Sequence, residues 1–227
     1  MTALVLSVVD EVKGSRQWRA CGKLWVASLL RHLWDGEIVI GRSFPEVLFP
    51  VVRGGLSEVE LPAATKPMLG ENPDLKANGR ARLHQFAREH TRSAGWVILA
   101  DADCLALRNL DHLVSGKSEL LVARSGKRCD PGFVAVRGER LGEYLELVEV
   151  LGLEGVVGSG KFSVGDFERG EVLRAGDLAV TVEDLANAAV VHFGGLKPEM
   201  NQKLAFAFHM MAVYGDKDGL FFDMLES

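Results

Sequence analysis

Two carboxylates separated by one small residue close an apolar run in Trp96-Val-Ile-Leu-Ala-Asp-Ala-Asp-Cys104. The run is too short for a helix, and its β-branched and aromatic content reads as a buried strand. Residues i and i+2 of a strand face the same side, so Asp101 and Asp103, on either side of Ala102, converge if the extended backbone continues past Ala100. Two carboxylates at the end of a buried strand repel unless something positive stands between them. A divalent cation, an Arg or Lys, or a shared proton would serve. The other reading is that both aspartates cap the turn into a helix near Asn109. A second group lies far downstream, in Val190-Val-His-Phe-Gly-Gly-Leu-Lys-Pro198. There an apolar strand delivers His192, then Gly194 and Gly195, then Lys197. Glycines let a backbone approach a phosphate, a lysine supplies a point charge for it, and an imidazole can ligate a metal. Alone this is a strand-to-helix turn with a satisfied histidine. With the paired aspartates it suits a metal–diphosphate site, in which a cation reverses the local charge and stabilises a leaving phosphate.

These residues need a scaffold of strands and helices. Strands are expected at 2–9, 37–40, 47–52, 57–61, 96–100, 120–124, 132–137, 178–182 and 189–193. Helices are expected at 17–33, 76–91, 139–151 and from Pro198 to about 214, with proline suited to the first turn. Pro62, Pro67 and Pro73 mark a loop, and 152–176 is glycine-rich and ambiguous. Strands alternating with helices predict an α/β domain, a mixed, mostly parallel sheet flanked by helices. With 227 residues, 48% hydrophobic, one domain over the whole chain is expected rather than two small ones.

Composition narrows the function classes. A net charge of −5 argues against a sequence-independent nucleic-acid binder, while 26 Lys and Arg leave room for a local basic pocket. The first apolar run, residues 4–9, is too short to span a membrane, lacks a basic start, and has no small-residue cleavage site after it. Cys21, Cys104 and Cys129 are odd in number and widely spaced, so neither a disulfide framework nor a C-x-x-C zinc site is indicated. The expectation is a soluble protein of a reducing compartment, the cytoplasm.

The strand ending in Asp101-Ala102-Asp103, the block Leu107-Arg-Asn-Leu-Asp-His-Leu113 and the late His192-Phe-Gly-Gly-Leu-Lys-Pro198 together resemble the glycogenin-like glycosyltransferases of family 8. These are nucleotide-diphospho-sugar transferases of the GT-A fold, a Rossmann-like architecture. The resemblance implies that Asp101, Asp103 and His192 hold a divalent cation. An imidazole among the ligands favours manganese (Mn2+) over magnesium (Mg2+), which prefers oxygen and water. It implies a UDP-sugar donor, an acceptor that the sequence does not name, and transfer with retention. Lys197 would neutralise the departing nucleotide diphosphate with the cation, and Gly195 would let the backbone approach its phosphates. Lys76 and Arg80 stand on a basic helix, where the family has basic residues near the nucleotide sugar. Asp10 closes the first strand, where the family's nucleobase pocket forms. Asp130-Pro-Gly-Phe-Val-Ala-Val136 takes the place of an Asn-x-Gly strand close to the donor sugar, and Gly165-Asp166 that of an Asp-Gln pair. Asp130 and Asp166 are thereby candidates for sugar hydroxyls, and no carboxylate is assigned as a covalent nucleophile.

The chain departs from that pattern in three places. Lys197 follows His192 by five residues, one fewer than in the family. Asp130 replaces the usual asparagine with an acceptor-only anion, and Phe167 stands where glutamine would follow Asp166. The shortened His192-to-Lys197 spacing and the missing Asp-Gln pair favour a rival reading, a catalytically inactive nucleotide-sugar-binding or scaffold protein of the same fold. A nucleotidyltransferase would show a glycine-rich basic loop after the first strand, which Asp10-Glu-Val-Lys-Gly-Ser-Arg16 only faintly resembles. Gly155-Val-Val-Gly-Ser-Gly-Lys-Phe162 has P-loop spacing, but Phe162 replaces the Ser or Thr that reaches magnesium and no strand precedes it. A flexible surface loop is expected there. A haloacid-dehalogenase-like phosphatase is rejected, since its Asp-x-Asp follows the first strand.

Overall fold

A strand whose residues are nearly all apolar is stable only when both of its faces are covered. β1 (Ala3–Val9) and β4 (Trp96–Ala100) are such strands. In the computed structural model they pair in parallel at the centre of a seven-stranded sheet. The structure describes residues 3–9, 16–31, 36–45, 48, 55–62, 75–90, 94–125, 128–168, 170–174 and 187–193. Outward from β1 run β2 (Glu37–Arg42) and β3 (Leu56–Glu60), both parallel to it. β5 (Cys104–Ala106) leaves this sheet. Beyond β4 come β7 (Arg128–Arg137), β6 (Leu120–Ser125) and β8 (Val164–Asp166), and only β7 runs against the rest. The result is a mixed, mostly parallel α/β sheet flanked by helices, as the sequence predicts.

Period-two alternation sorts the core into two layers. Val5, Ile98 and Ala100 join Trp25, Val26 and Leu29 of α1 (Arg16–Arg31) on one face. Leu4, Leu6, Val97 and Leu99 meet Leu83, Phe86 and Ala87 of α2 (Leu75–Glu89) on the other. Tyr144, Leu145 and Val148 of α3 (Leu141–Gly158) complete that second layer. The second sheet has the order β5, β10 (Val190–His192), β9 (Val172–Arg174) and is tied to α1, since the Ala106 amide donates to Ser28 Oγ at 2.9 Å.

Several expectations change in detail. β5, β8 and β9, each three residues long, are absent from the sequence reading because a run that short shows no period. A 3-10 turn, Asp111–Val114, stands where a helix near Asn109 was expected, and the Asp111 amide donates to Asn109 Oδ1 at 2.7 Å. α3 outruns its expected end by passing through Gly152, at φ 67° and ψ 171°, so the P-loop-like segment is no flexible loop. Gly155 to Gly158 are helical, and Phe162 is buried with its ring edge-on to Tyr144. The strand expected at 47–52 (save Leu48), most of the proline-marked loop, the strand at 178–182 and the helix after Pro198 lie outside the described residues. Among the described residues, no helix is long and apolar enough to cross a membrane.

Candidate metal centre

The strand order reverses between β1, which continues to β2, and β4, which continues to β7. Ligands of open α/β sheets bind in the crevice at the carboxyl ends of the strands at such a switch point. Asp101 is the first residue past the carboxyl end of β4. The extended continuation expected after Ala100 is not what brings the carboxylates together. The chain turns at Ala102 and Asp103, with the Cys104 amide donating to the Asp101 carbonyl at 3.1 Å, and restarts as β5. β5 pairs antiparallel with β10 so that His192 faces Cys104, and the Phe193 amide donates to the Asp103 carbonyl at 3.0 Å. The turn and the antiparallel pair together carry His192 to the aspartates.

β7 supplies the third side. Along β6 the register steps from Val122 to Ala123 while on β7 it jumps from Val134 to Asp130, so Pro131, Gly132 and Phe133 bulge out of that ladder. Bulges of this kind re-aim side chains beside functional sites. Here the Gly132 carbonyl accepts from the Asp101 amide at 2.9 Å, fixing the bulge to the turn. A Cβ on Gly132 would stand 2.1 Å from His192 Cε1, so only glycine leaves room for the imidazole.

The chemistry gathers around that ring. His192 Nε2 lies 3.3 Å from Asp103 Oδ1 and 3.6 Å from Asp101 Oδ2, without the alignment of a hydrogen bond. His192 Nδ1 is 2.7 Å from Asp130 Oδ2, and the Gly132 amide donates to Asp130 Oδ1 at 3.0 Å. Burial opposes a charged imidazolium, but Asp103, followed by Asp101 and Asp130, outweighs it and holds His192 well above the usual histidine range. Burial likewise pushes Asp130 upward, and the hydrogen bond and charge of His192, the Gly132 amide and Arg174 reverse it, leaving Asp130 below the usual carboxylate range. His192 is 0% exposed and Asp103 4%, whereas the Asp101 side chain is 23% exposed, so the cluster opens to solvent on the Asp101 side. Arg80 of α2 stands at that opening, its Nη2 3.5 Å from Asp101 Oδ2.

Asp101, Asp103 and His192 each offer a ligand atom, and these atoms lie within 4.8 Å of one another. Among the described residues the buried Nε2 has no hydrogen-bond partner, and two carboxylate oxygens with one imidazole nitrogen are a donor set suited to a divalent ion such as manganese or zinc. The residues present therefore fit a cation. Ala102 is buried in the turn between the two aspartates.

The remaining candidates are placed unevenly. Asp130 sits behind the imidazole, 1% exposed. Asp166 is on edge strand β8, half-exposed, and accepts from Arg124 Nε at 2.6 Å. Phe167 turns inward against Phe133, with ring centroids 5.5 Å apart. Lys76 falls on α2 with its side chain outside the described residues, and Asp10, Gly195 and Lys197 also lie outside them. Gly132 entered the sequence reading as the glycine of the Asn-x-Gly resemblance, with no sign of its contact to His192. One contributor escaped that reading. Ser7, whose Oγ donates to the Ala100 carbonyl at 2.7 Å and steadies the end of β4, carried no signal.

No protein-family model matches the sequence, and no curated protein matches it either. Solved structures do match the fold. The glycosyltransferase GlyE of Streptococcus pneumoniae TIGR4 aligns over 91% of this chain with a TM-score of 0.57 at 12% identity. The chain spans 61% of the length of that protein. The galactosyltransferase LgtC, solved in complex with donor and acceptor sugar analogues, aligns over 92% of this chain and 96% of its own, with a TM-score of 0.55 at 11% identity. An active-site mutant of LgtC aligns over 90% of this chain and 96% of its own, with a TM-score of 0.54 at 10% identity. The chain has the fold of these glycosyltransferases.

Proposed function

We propose that this chain, acting as one domain, is a metal-dependent glycosyltransferase that moves a sugar from a nucleotide diphosphate donor, a UDP-sugar, to an acceptor with retention at the anomeric carbon. The observation that carries the reading is the convergence of Asp101, Asp103 and His192 Nε2 at the switch point of a glycosyltransferase fold. Asp101, Asp103 and His192 would hold the cation, manganese in preference to magnesium because of the imidazole. When bound, the cation supplies positive charge to the diphosphate as it departs. Arg80, at the solvent-facing edge of Asp101, adds a fixed cation beside the same phosphates. Lys197, five residues beyond His192, and Lys76 would add positive charge for the diphosphate, and Gly195 would let the backbone approach a phosphate. Asp10 serves the nucleobase. Such preorganised charge is typically the largest contribution to reactions of this kind.

A second reading has its own support. Asp166 is engaged by Arg124 and Phe167 is committed to the core against Phe133, so the segment standing for the family's Asp-Gln pair is occupied structurally. That favours a protein that binds nucleotide sugar without transferring it. Calorimetric titration of UDP, with manganese or with chelator, into wild type and an Asp101→Ala/Asp103→Ala variant tests the site. Manganese-dependent binding that the variant loses is the expected result, and wild-type indifference to UDP in both conditions would overturn the proposal. Release of free sugar from a UDP-sugar then separates the two readings, since a binding protein shows the heat of binding and no turnover.

A further inference from the structure

Asp130 makes the shortest contact to the imidazole, yet no step above uses it. It is 1% exposed, and its Oδ2 lies 2.7 Å from His192 Nδ1. An ionised carboxylate only accepts, so Nδ1 is the donor and carries hydrogen. The Gly132 amide, donating to Asp130 Oδ1 at 3.0 Å, fixes the rotation of the carboxylate. Gly132 also walls the ring, since a Cβ there would meet Cε1 at 2.1 Å and Nε2 at 2.4 Å. The imidazole is thus gripped at Nδ1 and along one side. Its other nitrogen, Nε2, is left facing Asp103 Oδ1 and Asp101 Oδ2.

We propose that Asp130 is a positioning residue for the cation. It holds His192 in the Nδ1–H form with Nε2 presented to Asp101 and Asp103, and its negative charge makes Nε2 a stronger donor. Carboxylates behind metal-bound histidines act in this way, fixing tautomer and orientation and raising ligand basicity. The inference rests on the metal reading above and moves Asp130 from the donor sugar to the cation. Its physical basis is the bulge of β7, which places Asp130 and Gly132 on one imidazole at once.

Manganese binding to the full chain, without nucleotide, is followed by loss of the free-ion electron paramagnetic resonance signal. Asp130→Asn keeps an acceptor for Nδ1–H and removes the charge, whereas Asp130→Ala removes both. Affinity is expected to fall about tenfold in the first and about a hundredfold in the second. Urea midpoints in chelator are measured beside them: a merely structural Asp130 would shift the midpoint and leave the affinity of the folded protein unchanged, which overturns the proposal. Wild type itself offers a readout that needs no variant. Nitrogen-15 spectra of the zinc-loaded protein should show His192 protonated at Nδ1 and metal-bound at Nε2, and a metal-bound Nδ1 or an unligated His192 would overturn the assignment. Wild type that binds no manganese overturns the metal reading and this proposal together, whereas wild-type affinity retained in Asp130→Asn overturns this proposal alone.

Discussion

Three carboxylates around one buried imidazole make a proton and a metal ion alternatives at the same nitrogen. Without a cation, Asp103, Asp101 and Asp130 keep His192 charged well above its ordinary value of 6.5 despite burial. A folded-state pKa raised above the unfolded one contributes stability that is fully present below the unfolded value and is lost as pH rises through the folded value. In chelator, the urea midpoint should therefore fall as pH is raised from about 6.5 upward, and saturating manganese should flatten that fall by replacing the proton. A metal-free midpoint level through that range would show His192 to be neutral. At this scale residue type and spacing singled out Asp101, Asp103 and His192, and the family resemblance joined them as one candidate ligand set. The sequence reading had the wrong cause for their meeting, since a turn at Ala102 rather than strand alternation aims the two carboxylates. The partner of His192 was not legible, because Asp130 is 62 residues away and its contact depends on how two sheets meet.

Short elements held by their neighbours do most of the positioning. β5 and β10, three residues each, carry no period of their own and are fixed by pairing with each other and by Ser28 of α1. Long apolar strands such as β1 and β4 were legible because their composition demands two covered faces. α3 shows the opposite failure, where glycines read as a loop prove compatible with helix on either side of one irregular residue. Gly152 takes φ 67° and ψ 171°, a region essentially reserved for glycine, while a Cβ there would meet nothing within 4 Å. Gly152→Ala should destabilise the protein by about 1–3 kcal/mol through backbone strain alone. Gly142→Ala, in the first turn of the same helix and equally open, should leave it unchanged or about 0.5 kcal/mol more stable. Equal urea midpoints for the two variants would show that the kink imposes no strain.

The whole molecule links these pieces through the sheet, since a ligand held between β4, β10 and α2 binds the folded chain and not the unfolded one. Manganese with UDP at a hundredfold excess over the dissociation constant should add about 2.7 kcal/mol. For a chain of this size that is a rise in melting temperature of about 5–10 °C. Thermal unfolding with and without the pair measures it, and Asp101→Ala/Asp103→Ala should show no rise. A rise of equal size in that variant would place the ligand elsewhere on the fold. The alternation of apolar strands with amphipathic helices is a local property, so the sequence by itself determined the α/β class, the buried strand that ends in Asp101 and the residue types suited to a cation. Strand order, the bulge at Pro131–Phe133 and the pairing of β10 with β5 are products of packing between segments distant along the chain. Only the tertiary structure therefore decided that His192 meets both aspartates, that Asp130 stands behind it, and that Asp166 lies on the sheet edge against Arg124. Periodicity records which face of an element is buried, and the partner on that face is chosen by the fold as a whole.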